Sequence, residues 1–159
     1  GMSPHGLAAN TGMTFVQAKE FIEQYFALRA PIRRYIDSLL TKARTDGYVE
    51  TYYGRRRPTP DVHSSNFMVR QAAERAAANM PIQGTEADLM KRAMVQVEQA
   101  LSGRADQLLQ IHDSILVECD PEAVGEVSAQ MKRIMESIAP ELPIKLRVDV
   151  STGMNWREV

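Results

Sequence analysis

Gln110-Ile111-His112-Asp113-Ser114-Ile115-Leu116-Val117-Glu118 is the stretch that decides the reading of this chain. Apolar residues flank a polar His-Asp-Ser centre on both sides, and runs rich in Leu, Ile and Val read as β-strands. The polar triplet interrupts the run, so the expected structure is two short strands joined by a tight turn. Asp and Ser suit turns because their short side chains bond nearby backbone. One carboxylate, Asp113, is thereby lifted to the tip of a hairpin spanning about residues 107–119. There it can be a metal ligand, a general base or only a turn residue.

Downstream of the hairpin, Asp120-Pro121-Glu122 has the makings of a helix N-terminus, with Asp as cap, Pro at the first position and Glu beside the positive end of the dipole. Val124, Val127, Met131, Ile134, Met135 and Ile138 line the buried face of that helix, the methionines as gap-fillers rather than ligands. Ile144, Leu146, Val148 and Val150 then alternate with Lys145, Arg147 and Asp149, the pattern of a half-buried strand. The fold class is α+β: a small antiparallel sheet, built from the hairpin 107–119 and the strand 144–150, with helices packed on it and a helical pair at the N-terminus.

Upstream lies an Ala-rich helix, expected over about 65–80, whose small residues let another backbone approach closely. Gln71, Arg75, Asn79 and Gln83 recur at four-residue steps and form one polar stripe. The stripe has one guanidinium, three amides and no carboxylate, a set suited to bonding base edges, sugars or phosphates. Pro81 predicts a kink or break. A fresh helix is expected from Thr85-Glu86-Ala87-Asp88 to about Leu101.

Before it, Tyr48 to Arg57 reads as a short strand, a turn at Gly54 and a second strand or loop carrying Arg55, Arg56 and Arg57. A run of three arginines is by itself more often a solvated face than a binding site. Pro58-Thr59-Pro60-Asp61 is expected to be extended and non-helical. Two amphipathic helices precede this region. The first starts at a Thr14/Gln17 capping box and carries Phe15, Ala18, Phe21, Ile22, Tyr25 and Phe26 on one face. Ala30-Pro31 interrupts it, and the second follows over about 31–45, the two forming an antiparallel pair. Residues 1–13 are turn-rich, with one helical turn expected at Leu7-Ala8-Ala9.

The composition sets limits. With 159 residues, 44% of them hydrophobic, the chain suits one domain with a sizeable core. A net charge of -1 lacks the basic excess of a free-standing nucleic-acid binder, so any such surface must be a local patch. Cys119 is the only cysteine, which excludes an internal disulfide framework and fits a reducing, cytoplasmic setting. No apolar run reaches the roughly 18 residues of a membrane span, and no secretory signal is visible.

Three chemistries are open on these residues. Asp113 can serve a metal-dependent phosphotransfer site, since Mg²⁺ takes oxygen ligands and two metals can clamp an in-line displacement. His112-Asp113 can belong to an HD-type metal phosphohydrolase, but only His5 and His63 remain as further histidines, and the pair sits in a turn rather than on a helix. Arg75, Asn79, Gln83 and Arg55 to Arg57 can form a non-catalytic nucleic-acid module. An isolated His-Asp dipeptide usually does no more than close a turn.

The combination of motifs is more specific. Tyr53-Gly54-Arg55-Arg56-Arg57, the run from Arg75-Ala76-Ala77-Ala78-Asn79 through Pro81-Ile82-Gln83-Gly84-Thr85 to Asp88, and Ile111-His112-Asp113, in this order and spacing, resemble the C-terminal end of family A DNA polymerases, the bacterial DNA polymerase I family. Gly1-Met2-Ser3 with Gly6-Leu7-Ala8 is similar to the segment after the nucleotide-binding fingers helix, and Gly153-Met154-Asn155-Trp156 to the family's end. The resemblance covers essentially the whole chain.

The resemblance implies that residues 1–60 are the end of the fingers and 61–159 the second half of the palm. It implies that Asp113 binds the two Mg²⁺ ions of the catalytic site and that His112 contacts the primer terminus. Gln71, Arg75, Asn79 and Gln83 would follow the primer–template minor groove, where acceptors are nearly the same for every base pair and pairing geometry can be checked without reading sequence. Arg55 and Arg56 would touch backbone phosphate. The implied reaction is template-directed addition of dNTPs to a primer 3′ end. Two departures stand out. Ser114 replaces the glutamate that usually follows His-Asp, and the family's other metal-binding aspartate lies upstream of Gly1. Ser114 is not expected to abolish activity by itself, but with a single candidate metal carboxylate where the mechanism wants two, the chain alone is expected to be inactive. It is then a fragment, a DNA-binding remnant, or half of a split enzyme partnered by the upstream polymerase half.

Overall fold

The structure, a computed structural model, describes residues 2–159; Gly1, which opens the resemblance above, lies outside the described residues. The chain divides into two compact units, one ending at Thr85 and the other spanning Glu86–Val159. Their elements are five α-helices and two separate two-stranded antiparallel sheets, which is the α+β class the sequence implies.

In the first unit α1 spans Pro4–Thr11, a full short helix where only one helical turn was expected. Its ends explain it. The Ser3 hydroxyl accepts from the Gly6 amide at 3.1 Å, Pro4 sits in the first turn, and Gly12 closes the helix in the left-handed conformation. Helix α2, Phe15–Leu28, begins with the capping box read from Thr14 and Gln17, and both of its hydrogen bonds are made. Helix α3, Ala30–Thr45, follows at Pro31 as expected. The apolar stripe of α2 is less buried than its periodicity suggests. Only Ala18 is fully covered, whereas Phe15, Phe21 and Tyr25 are exposed, and α2 packs chiefly on α1 rather than pairing along α3.

Strands β1 (Tyr48–Glu50) and β2 (Arg56–Pro58) pair in the register Tyr48 to Pro58, Val49 to Arg57 and Glu50 to Arg56. The connection closes at Gly54, whose φ of 79° needs a residue without a β-carbon. Pro60-Asp61, expected to be extended, instead begins a 3-10 turn over Pro60–His63. The proline ring forbids a helix interior but suits a first turn, and four residues need only that. Val49, Val62, Ala43, Ala77 and Met80 form the core of this unit.

Helix α4 runs over Phe67–Leu101, one element where a helix to about residue 80 and a second from Thr85 were expected. The Asn66 side chain caps it by accepting from the Met68 amide at 3.0 Å. Pro81 lies inside. A proline there removes a backbone bond and costs about 3 kcal/mol. Three alanines precede it, Ala76 to Ala78, the residues with the best helix propensity, so the flanks carry the helix through. Thr85 Oγ1 also donates to the Pro81 carbonyl.

In the second unit β3 (Ala105–Ile111) and β4 (Ser114–Cys119) form the hairpin read from the sequence. Leu108 is an unpaired extra residue, because the register steps from Gln107 opposite Val117 to Leu109 opposite Leu116. Helix α5 spans Val124–Glu136. Asp120 does not cap it with its side chain. Residues Pro121–Ala123 form a 3-10 turn first, and the Ala123 amide bonds the Asp120 carbonyl at 2.9 Å. Val97, Leu101 and Val127 are fully buried, with Val117, Cys119, Met131 and Ile134 packed around them, so Cys119 and Met131 are packing residues. Burial of such aliphatic side chains contributes about 1.5–3 kcal/mol each.

The strand expected over 144–150 is not formed, and the second sheet has two strands rather than three. Its alternating pattern persists in part: Leu146 packs beside Ile138 and Ala139 while Ile144 and Val150 remain exposed. A pleated apolar row makes a strand only where a ladder partner accepts its backbone groups. Here the Val148 amide instead donates to the Glu136 carboxylate at 3.2 Å.

Candidate nucleic-acid interface and hairpin tip

Gln71, Arg75, Asn79 and Gln83 all lie on α4 in the first unit and all are exposed. The opposite side of the same turns is buried through Ala77 and Met80. The helix therefore presents the polar stripe outward and spends its alanine face on the core. Among the described residues none of the four side chains has an internal partner, so one guanidinium and three amides are available to a ligand.

The basic hairpin is docked beside the end of this stripe. Tyr52 donates its backbone amide to Thr85 Oγ1 at 2.8 Å, which ties the β1–β2 connection to the turn of α4 that follows Gln83. Thr51 closes the connection itself. Its amide donates to the Arg55 carbonyl at 2.9 Å and its hydroxyl accepts from the Arg55 amide at 3.1 Å.

Arg56 is not a loose charge. Its Nε stands 3.4 Å from Glu50 Oε2, and its guanidinium lies 4.4 Å from the centre of the Tyr48 ring. Glu50 is shared with Lys42, whose ammonium donates to Oε1. Hydrogen bonding to Lys42 holds the Glu50 carboxyl below the usual carboxylate range, with the Arg56 contact adding to it and partial burial opposing it. The same bond pushes Lys42 up. The anchoring of Arg56 by Tyr48 and Glu50 escapes a reading residue by residue. The signal for it is the antiparallel register about Gly54, which sets Glu50 opposite Arg56 as a cross-strand charge pair.

His112 and Asp113 belong to the second unit. Ile111 pairs with Ser114, so they are the two loop residues of the β3–β4 hairpin, and both are exposed. His112 has φ of 53°, the only positive value at a non-glycine among the described residues. Two-residue hairpin loops demand left-handed backbone because the strands twist. Histidine enters that region more often than most residues but still at a cost of about 1–2 kcal/mol.

The described residues contain no cluster of three His, Cys, Asp or Glu side chains able to hold a metal ion. Asp113 offers one exposed carboxylate in the second unit, and His5 and His63 lie in the first. His63 Nε2 instead meets the Arg44 carbonyl at 3.1 Å, and the His5 ring stacks on Phe15 at 4.5 Å between centroids. One carboxylate does not by itself make a Mg²⁺ site, because such a site needs further ligands. No helix among the described residues is long and apolar enough to cross a membrane.

Comparison with known proteins gives these features their setting. Residues 1–158 match the family described as DNA polymerase family A, and the chain belongs to that family. It is 48% identical over 157 residues to DNA polymerase I of Deinococcus radiodurans, covering 98% of this chain and 16% of that protein. It is 45% identical to the thermostable DNA polymerase I of Thermus filiformis, over 99% of this chain and 19% of that one. Among solved structures it resembles the POL domain of Pol1 from M. smegmatis in complex with DNA primer-template and dNTP, with a TM-score of 0.90, 42% identity, and coverage of 98% of this chain and 28% of that one. The chain thus spans less than a fifth of the length of these curated relatives.

Proposed function

We propose that this chain is the C-terminal part of a DNA-directed DNA polymerase, supplying one catalytic carboxylate and the surface that follows the primer–template. In this reading residues 1–60 are the end of the fingers and 61–159 the second half of the palm, in a cytoplasmic replication or repair enzyme. The parent reaction joins the primer 3′ oxygen to the α-phosphorus of a dNTP and releases pyrophosphate. The observation that carries the reading is the exposed, unpartnered row Gln71, Arg75, Asn79 and Gln83 on α4. Its donors suit minor-groove acceptors, which are shared by all base pairs, so contact with them tests pairing without selecting sequence. Arg55 extends this row toward phosphate. Arg56 does so while held by Tyr48 and Glu50, so it arrives already oriented.

Asp113 is the residue assigned to the metal ions, with His112 next to the primer terminus. Since the described residues hold one such carboxylate and no metal cluster, the isolated chain is proposed to be inactive and to need the upstream polymerase half. The test is a hybrid in which this chain replaces the matching segment of the Deinococcus radiodurans relative. Primer extension by the hybrid, abolished by Asp113→Ala and absent for the chain alone, is the expected result. Extension by the purified chain alone overturns the inactivity. An inactive hybrid that still binds primer–template favours the second reading, a DNA-binding remnant.

A further inference from the structure

The tip of the β3–β4 hairpin is held by side chains outside its two loop residues. The Ser114 hydroxyl donates to the Ile111 carbonyl at 2.9 Å, across the base of the His112-Asp113 loop. Gln110 Nε2 donates to the His112 carbonyl from the other strand. The Asp113 carboxylate has no internal partner among the described residues, so the backbone of the tip sets the position from which it projects. That backbone includes His112 at φ of 53°, a conformation that persists only where its surroundings over-determine it.

We propose that Ser114 is a positioning residue, whose hydroxyl clamps the hairpin tip and fixes the position from which Asp113 presents its carboxylate. The proposal rests on the assignment of Asp113 to the polymerase reaction made above. It gives a role to the departure from the family's usual glutamate. An ionised carboxylate accepts hydrogen bonds but cannot donate to a carbonyl, whereas a serine hydroxyl can. At this position the chain has exchanged a charge for a strap.

The test uses the hybrid polymerase with Ser114→Ala and Ser114→Thr. Threonine keeps the donor and alanine removes it, and the site is exposed, so both variants should fold. Ser114→Ala is expected to lower kcat about fivefold, the effect of one lost neutral hydrogen bond, with KM for dNTP and the melting temperature unchanged. Ser114→Thr is expected to restore kcat. Amide hydrogen exchange on the chain itself should quicken at Asp113 and Ser114 in the alanine variant only. An unchanged kcat in Ser114→Ala, or an equal fall in both variants, overturns the positioning role. Asp113→Ala in the same hybrid separates this from failure of the underlying reading: extension that survives Asp113→Ala removes Asp113 from the reaction, whatever Ser114 does.

Discussion

The side chain of Thr51 fills the space that a β-carbon on Gly84 would need, with its Cγ2 methyl 2.7 Å from that position. Thr51 is buried and its hydroxyl is committed to the Arg55 amide, so it cannot turn aside without losing that bond. The close approach seats the basic hairpin on α4. Gly84→Ala should therefore destabilise the chain by about 1–2 kcal/mol, the strain of overpacking less the helix propensity gained. Thr51→Ser removes the methyl and keeps the hydroxyl, so the double variant should recover most of the loss. Urea denaturation of the two single variants and the pair measures the coupling, and strictly additive effects would count against the contact.

Acid should loosen the anchoring of Arg56. Glu50 holds its proton less tightly in the folded chain than in the unfolded one, because Lys42 and then Arg56 favour its charged form. Its contribution is thus complete above the usual carboxylate range and is lost as pH falls through the depressed folded value. Lys42 is raised above 10.5 chiefly by its bond to Glu50, so its share is complete below that value and is lost as pH rises through the higher folded one. The stability difference between the parent chain and Glu50→Gln should be flat between these limits and shrink at both. Denaturation midpoints taken from pH 3 to pH 11 check this; a difference that stays constant into acid would sink the assignment.

The polar stripe predicts a sequence-independent loss of affinity. Arg75→Ala and Gln83→Ala should each weaken primer–template binding by about 1 kcal/mol, alike on A·T-rich and G·C-rich duplexes. If Arg75 meets phosphate as well, its removal should also lower the salt slope by about one unit. Fluorescence anisotropy at several fixed salt concentrations reads both quantities, and unchanged affinity in both variants would remove the stripe from the interface.

At the hairpin tip, shape and chemistry can be separated. His112→Val puts a β-branched residue at a left-handed position and should cost about 1–2 kcal/mol more than histidine does. His112→Gly should be as stable as the parent or more so, since glycine adopts this backbone freely. Extension by the hybrid should nonetheless fall with glycine if the imidazole meets the primer. Thermal denaturation beside single-turnover extension distinguishes a conformational role from a contact.

The sequence is most legible where one local rule acts alone. The Thr14/Gln17 box, the Ala30-Pro31 break and the hairpin about His112-Asp113 each follow from residues within four positions of one another. It is less legible where two rules compete or a distant partner decides. Pro81 signals a break, yet the alanines before it carry α4 through. Ile144 to Val150 has strand periodicity, but periodicity does not supply a ladder. The aromatic row of α2 predicts burial that only Ala18 attains, because an amphipathic stripe states a preference and not a partner. At the candidate site the stripe on α4 is legible from its spacing. The hold of Tyr48 and Glu50 on Arg56 is not, because it depends on the register of two three-residue strands.

Leu108 sets the parity of everything beyond it. Before it, Ala105 and Gln107 share a face with Cys119 and Val117, which pack on the helices. After it, Gln110 shares that face with Ile115, while Leu109 and Ile111 turn to the open side. The inserted residue inverts odd and even within one strand. With this bulge Gln110, rather than Leu109 or Ile111, lies on the Ile115 face, and its amide donates to the His112 carbonyl. Deleting Leu108 would remove the bulge, restore strict alternation along β3 and leave Leu109, Gln110 and Ile111 on the faces they now hold. The hairpin thus keeps a count as well as a shape: the odd residue lets Gln107 and Gln110, three positions apart, lie on one face of the sheet.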